Sequence, residues 1–319
     1  MFEREQQILA SWNIGAVESV AVPATGTINQ TQIISTRAGR WVLRRYRRRD
    51  RIGVEREHAL IAYARAQGVP AVAPVPLTEG TTILEHEGRS YALFPHAPGV
   101  QVARADLRSD QIAAMGVCLA RLHVALASYP QAKVDQRSLV VDRTATLRAI
   151  DEFVTQIRSQ STLDISDEYA LRRLAGQQRW IEQHHDTPIE LDGLPQQVIH
   201  GDYTEANLFF DADQISAIID WEQAYVAPRA WEIVRTIDLV FHFEAAACQI
   251  LLNAYRQSLS VAWSELDRAA LCYAAIRAHD VWMYEAAYGQ GNDRVRQFWG
   301  PDGFVPLDER WHALRRTLR

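Results

Sequence analysis

The chain has 319 residues, 48% of them hydrophobic and 23% charged, with a formal net charge of −5. This is ordinary globular composition and excludes a fibre, a disordered tail or a disulfide-stapled mini-protein. The acidic balance gives no general attraction to nucleic acid or to an anionic membrane. No apolar run approaches the 18 residues that a spanning helix needs, and the start Met1–Glu5 lacks the apolar core of a secretory signal. The expectation is a cytoplasmic protein with neither nucleic acid nor membrane as partner. Cys118, Cys248 and Cys272 are odd in number and scattered among apolar residues, so they are expected to be reduced core residues and not a metal site. Lys133 is the only lysine, so 33 of the 34 basic residues are arginine.

In chain order, Ala16–Pro23, Gln30–Thr36 and Arg40–Tyr46 predict three strands, with turns at Ala24–Asn29 and Arg37–Gly39. Val54–Gln67 predicts an amphipathic helix stopped by Gly68 and Pro70. A hairpin of Thr82–Glu85 and Ser90–Phe94 turns at Glu87–Gly88. Phe94–Gly99, with two prolines and a glycine, is a short stiff connector. Beyond it, Ser109–Ala127, Asp142–Arg158, Asp167–Gln183, Arg229–Phe243, Ala245–Leu259 and Ser264–Tyr288 carry the 3.6-residue period of helices. Gln197–Ile199 interrupts them as a short strand, and Leu208–Phe210 and Ile215–Ile219 flank Asp211–Gln214 as a second hairpin. The predicted class is α+β, with a small β-rich lobe over residues 1–95, a connector at 94–99 and a larger helical lobe over 96–319. A cleft between two such lobes is the natural ligand site.

The polar loop His200-Gly201-Asp202-Tyr203-Thr204-Glu205-Ala206-Asn207 precedes that hairpin, and Asp220 ends it thirteen residues after Asn207. An aspartate before the hairpin, an asparagine at its start and an aspartate at its far end suit phosphoryl transfer. One carboxylate takes a hydroxyl proton, while an amide oxygen and a second carboxylate hold Mg²⁺, a hard cation that needs few protein ligands. The bare spacing is weak evidence, and the same residues also read as turn formers and a strand cap. The flanking apolar strands supply the context that the chemistry requires.

These residues, in "VIHGDYTEANLFF…AIIDWE", resemble the catalytic loop and metal-binding aspartate of the aminoglycoside-phosphotransferase and choline-kinase-like small-molecule kinases, whose fold is bilobal and protein-kinase-like. The resemblance implies Asp202 as catalytic base, Asn207 and Asp220 as Mg²⁺ ligands, and ATP as phosphoryl donor. "GVCLARLH" (Gly116–His123) is similar to the helix after the connector. "RAWEIVRTI" (Arg229–Ile237) is similar to the segment after the metal aspartate, with Glu232 where aspartate is usual and expected to brace the loop. Thr25-Gly26-Thr27-Ile28-Asn29 takes the place of the phosphate-covering turn, making Thr25 and Asn29 nucleotide contacts. Arg44 stands where the family's ATP-binding lysine does, Glu57 where its helix partner does, and Phe94 and His96 lie where the adenine edge is read. Arg45 points to the opposite face from Arg44 and Tyr46, so the arginine run after Arg44 reads as a solvated strand end.

On a continuous C-terminal helix Arg277, Asp280 and Tyr284 would share one face and could hold the carboxylate and ammonium of an amino acid. Asp280, Glu285 and Asp293 would serve a cationic aminoglycoside, and Trp282, Tyr284, Tyr288 and Trp299 a choline cage. The start "WNIGAVESVAVPATGTINQT" and the length are most similar to type II homoserine kinases. The resemblance therefore implies a kinase, monomeric or homodimeric, acting on a hydroxyl of homoserine or a related amino alcohol. The alternatives are an aminoglycoside, choline or sugar acceptor, or a non-catalytic binding module of the same fold.

Overall fold

Strands β1 (Val17–Ala21), β2 (Gln30–Thr36), β3 (Gly39–Arg45), β4 (Leu84–His86) and β5 (Arg89–Pro95) form one antiparallel sheet in the order β1-β2-β3-β5-β4. The computed structural model describes residues 3–23, 30–47, 50–135, 140–184 and 193–318. The predicted turn with Thr25 and Asn29 lies outside the described residues. One sheet face buries Ile34, Leu43 and Leu93 beneath Ile8, Leu9 and Trp12. Those last three come from an N-terminal segment opened by a helix, α1 (Glu3–Leu9), that the periodicity did not reveal. Trp12 is pinned by its indole N–H, which donates to Val75 O at 3.0 Å.

Helix α2 (Arg51–Ala66) starts three residues before the predicted Val54, because Asp50 caps it by accepting from Gly53 N at 2.8 Å. Its apolar stripe, Val54, Leu60, Ile61 and Ala64, packs into the same core as the helical region. The following segment joins it too: Val72 N donates to Ile218 O at 3.3 Å and Ile218 N to Pro70 O at 2.8 Å. Buried apolar contact and backbone bonds therefore run across the two lobes of the bilobal, kinase-like fold.

The larger region holds α3 (Ser109–Leu126), α4 (Arg143–Arg158), α5 (Ile165–Gln183), α6 (Arg229–Phe241), α7 (Ala245–Ser258) and α8 (Trp263–Ala278), with α9 (Trp282–Tyr284) and α10 (Leu307–Thr317) after them. Two small ribbons sit among them: β6 (Gln196–Ile199) pairs with β9 (Tyr225–Pro228), and β7 (Leu208–Asp211) with β8 (Gln214–Ile218). Helices α3 and α7 approach closely at Gly116, where a Cβ would stand 2.4 Å from Leu251 O. Strand β9 and helix α10 are additions to the predicted order. The three cysteines are buried, as expected of core residues. Among the described residues, no helix is long and apolar enough to cross a membrane.

One element departs from its prediction. Ser264–Tyr288 is not one helix: α8 ends at Ala278, three residues intervene, and the chain resumes as α9 and a five-residue π-turn over Glu285–Gly289. No proline or glycine causes the break. Gln177 of α5 donates its amide to Ala278 O at 2.6 Å and to Asp280 O at 3.2 Å, taking carbonyls that a continuing helix would use.

Candidate active site

The loop between β6 and β7 is fixed from below by one carboxylate. Glu232 of α6, wholly buried, accepts from Gly201 N at 2.5 Å and His200 N at 3.3 Å, and its Oε2 lies 2.9 Å from His123 Nε2. Burial alone would raise its pKa, but bonding to His123 and the loop amide outweighs it, and the carboxyl sits below its usual range. Glu232 thus braces the loop as expected. His123 of α3 is the buried link between Glu232 and Tyr255 OH, 2.8 Å away. His200 accepts from Asp202 N at 3.3 Å through Nδ1, so its Nε2–H donates to Ile219 O at 3.0 Å. One imidazole therefore ties the start of the loop to the end of the hairpin.

Asp202 and Asn207 meet directly. Asn207 Nδ2 donates to Asp202 O and to Asp202 Oδ2, both at 2.9 Å. Ile219 N donates to Asn207 O at 3.0 Å, which sets Asp220 one residue beyond the asparagine across the β7–β8 ribbon. Asp220 itself has φ +64° and ψ +58°, a left-handed conformation that a non-glycine residue adopts at a cost. Its turn carries the carboxylate to Arg44, whose two terminal nitrogens span Asp220 Oδ1 (3.2 Å) and Glu57 Oε1 (3.3 Å). Burial opposes the guanidinium's charge, yet the Asp220 and Glu57 carboxylates outweigh it and raise its pKa. Phe94 lies beside the same guanidinium, with its ring centroid 5.6 Å from Cζ. Arg44, Glu57, Phe94 and Asp220 are thus brought together.

Among the described residues, no group of three or more His, Cys, Asp and Glu could hold a metal. The Asn207 amide, with its nitrogen turned to Asp202, and the Asp220 carboxylate instead offer two hard oxygen donors. That set fits Mg²⁺, which keeps water and substrate oxygens in its other positions. The His96 N–H donates to Arg40 O at 3.0 Å, extending the sheet pairing, and Nδ1 lies 3.0 Å from Ala97 O. Gly99 closes that connector onto β7, with φ +86° and no room for a Cβ, which would stand 2.3 Å from Phe210 O.

The predicted acceptor residues divide. Arg277 and Asp280 form an ion pair, and Arg277 Nε lies 3.9 Å from Asp238 Oδ2. Tyr284 does not join them, because the break after Ala278 sends it into a second core, fully buried and stacked 5.3 Å from Trp299. Tyr288 stacks on the other part of that array, 6.2 Å from Trp299. These rings fill space with each other and do not form an open cage. Two of the three acidic candidates carry arginine partners, since Asp293 pairs with Arg296 at 2.9 Å as Asp280 does with Arg277. Sequence reasoning passed over Arg235 of α6, which donates to Asp202 Oδ1 at 2.9 Å. Its position three residues after Glu232, on the helix that braces the loop, was the available signal.

The profile of the phosphotransferase enzyme family matches residues 19–272. The chain belongs to that family. Its curated relatives include homoserine kinase of Xanthobacter autotrophicus, 26% identical over 68% of this chain and 62% of that protein. A second is homoserine kinase of Paramagnetospirillum magneticum, 24% identical over 88% and 86%. The chain spans slightly less than two thirds of the first. Among solved structures, spectinomycin phosphotransferase in complex with ADP and spectinomycin superposes over 98% of both chains, with a TM-score of 0.71 and 15% identity. A microcompartment-associated aminopropanol kinase covers 93% of this chain and 94% of its own, at a TM-score of 0.60 and 14% identity. These likenesses show that this phosphotransferase-family member has the bilobal α+β kinase-like fold.

Proposed function

We propose that this protein is an ATP- and Mg²⁺-dependent small-molecule kinase whose acceptor is a hydroxyl of homoserine or a related amino alcohol. The observation that carries the reading is the joining of Asp202 to Asn207, with Asp220 across the same ribbon and Arg44 behind it. The homoserine kinases among the relatives support the acceptor class, although family likeness alone does not fix a substrate. The connector around residues 94–99 is the hinge of this reading.

Asp202 Oδ accepts the proton of the acceptor hydroxyl as its oxygen bonds to the γ-phosphorus, and the bond from that phosphorus to the bridging oxygen breaks to release ADP. Asn207 orients Asp202 through two hydrogen bonds. Its amide oxygen and the Asp220 carboxylate are the groups that would hold Mg²⁺. Mg²⁺, when bound, neutralises phosphate charge and aligns the transferring group. Arg44 offers a fixed fork of donors to phosphate oxygens while remaining anchored by Glu57.

The test is ADP release with MgATP over homoserine, aminopropanol, choline, hexosamine and aminoglycoside acceptors, run beside Asp202→Asn. Acceptor-dependent turnover that falls by about 10³-fold or more in the variant supports the reading, because the base and its positioning are removed together. Release that ignores both acceptor and substitution overturns it in favour of a binding module.

A further inference from the structure

The carboxylate assigned as base is occupied on both oxygens: Oδ2 by Asn207 and Oδ1 by the Arg235 guanidinium at 2.9 Å. A hydroxyl approaching Oδ1 must share that oxygen, and its negative charge, with the guanidinium. The pair is open to the cleft, with the Asp202 side chain 27% exposed and that of Arg235 26%. Arg235 Nε is buried without a hydrogen-bond partner, although the side chain as a whole is 26% exposed. A second cation lies close by, since Arg277 and Arg235 oppose each other's charge. Two arginines converging beside a catalytic base would repel a cationic acceptor. Arg277 is nevertheless satisfied by Asp280 and Asp238, whereas the carboxylate paired with Arg235 is that of Asp202.

Resting on the kinase reading above, we propose that Arg235 is the acceptor-anion receptor: a carboxylate borne by the acceptor takes the place of Asp202 on its guanidinium and so frees the base. The geometry is already that of an arginine–carboxylate pair, with Asp202 standing in for the substrate group. An acceptor without such a group would leave the guanidinium on Asp202, where its charge makes the carboxylate a weaker base. Arg235 is thus a specificity residue that couples acceptor charge to release of the base. The substrate class is a hydroxyl compound carrying a carboxylate, and polycationic aminoglycosides and choline are disfavoured.

The experiment compares acceptors that differ only in the carboxylate: L-homoserine against 3-aminopropan-1-ol, and L-serine against ethanolamine. Each is titrated calorimetrically into the full chain with Mg²⁺ and AMP-PNP, and assayed for ADP release with MgATP. The expected result is at least tenfold tighter binding of a carboxylate member over its partner. Arg235→Met should collapse that preference mainly through KM, and Arg235→Lys should restore part of it by keeping the charge without the fork. Equal or tighter binding of the carboxylate-free members by the unaltered chain overturns the proposal, as does binding of neither member of either pair. A preference that survives Arg235→Met does so as well. The two readings fail separately: a carboxylate preference in binding without acceptor-dependent ADP release retains the anion subsite and removes the kinase, whereas indiscriminate turnover does the reverse.

Discussion

Arg44 and Asp220 lie 176 residues apart in the chain and are joined by a 3.2 Å ion pair, so β3 of the sheet and the end of the β7–β8 ribbon are held by one guanidinium. The same group reaches Glu57 on α2 at 3.3 Å. A lysine at this position, usual in proteins of this kind, would meet the two carboxylates with a point charge, whereas the arginine fork addresses each with its own nitrogen. The substitution therefore preserves the linkage while changing its geometry.

Arg44→Met should leave Glu57, 3% exposed, without its buried cation. Breaking one partner of such a pair costs about 3–5 kcal/mol. The expected outcome is a fall in kcat/KM for MgATP of at least about 10²-fold together with a lower melting temperature. Arg44→Lys should recover much of the stability and less of the nucleotide affinity. Nucleotide titration alongside thermal melting of both variants checks this, and an Arg44→Met protein with unaltered MgATP affinity would remove Arg44 from the phosphate site.

His58 gives the fold an acid sensitivity. It is buried between Tyr46 OH, 3.1 Å from Nε2, and Thr82 Oγ1, 2.7 Å from Nδ1. Burial first, and the Arg44 charge second, lower its pKa from 6.5 to about 4. Above pH 6.5 both folded and unfolded chains hold it neutral and its contribution is flat. As pH falls from 6.5 towards 4 the unfolded chain takes up the proton first, so stability drops, and below 4 the loss is complete. At 1.36 kcal/mol per pKa unit the loss is about 3 kcal/mol. Denaturant midpoints measured from pH 7.5 to 4 should fall more steeply for the native chain than for His58→Gln, and parallel curves would refute the assignment.

The loop brace is tested at Glu232. Gln at this position keeps one acceptor oxygen and brings an N–H₂ towards the donors of His123, His200 and Gly201. Each buried donor left unsatisfied costs about 1–3 kcal/mol. Glu232→Gln should therefore lower the melting temperature by several degrees and reduce kcat more than nucleotide affinity, since it loosens Asp202 without touching Arg44. Glu232→Asp keeps the charge with one methylene less reach and should retain more kcat than the amide. Equal kcat in all three proteins would show that the loop holds its shape without this carboxylate.

Most of the site's membership was legible because it lies in one contiguous stretch. His200–Asn207 and Asp220 are within 21 residues of each other, and alternating apolar strands mark the ribbon between them. The strands and most helices followed from periodicity for the same reason. What escaped depends on distant partners. The end of α8 is set by Gln177, a hundred residues earlier, and nothing within Ser264–Tyr288 signals it. Arg235 looks like any arginine on an amphipathic helix until α6 is docked under the loop. His123 reads as polar in a helix whose burial comes from α6 and α7. Strand β9 escaped because its partner is β6, with Tyr225 in register with Ile199, 26 residues earlier in the chain.

Gly201 separates the local from the tertiary cause most sharply. It sits between His200 and Asp202 with φ +82°, and a Cβ there would stand 2.2 Å from Gln223 O and 2.9 Å from the Tyr225 ring. Backbone and a buried ring cannot yield as a flexible side chain would. Gly201→Ala combines a left-handed backbone, unfavourable for alanine by about 1–2 kcal/mol, with that overlap. The loop would have to shift, carrying Asp202 away from Asn207, whose 2.9 Å bond sets the orientation of the base. The expected outcome is a variant with kcat reduced by about 10²-fold or more, because a displacement near 1 Å is enough for that loss. Nucleotide affinity should change far less, since Arg44 and Glu57 are not held by this loop. Turnover in Gly201→Ala equal to that of the native chain, in a protein with the native melting temperature, would show that the loop's path is not what aims Asp202.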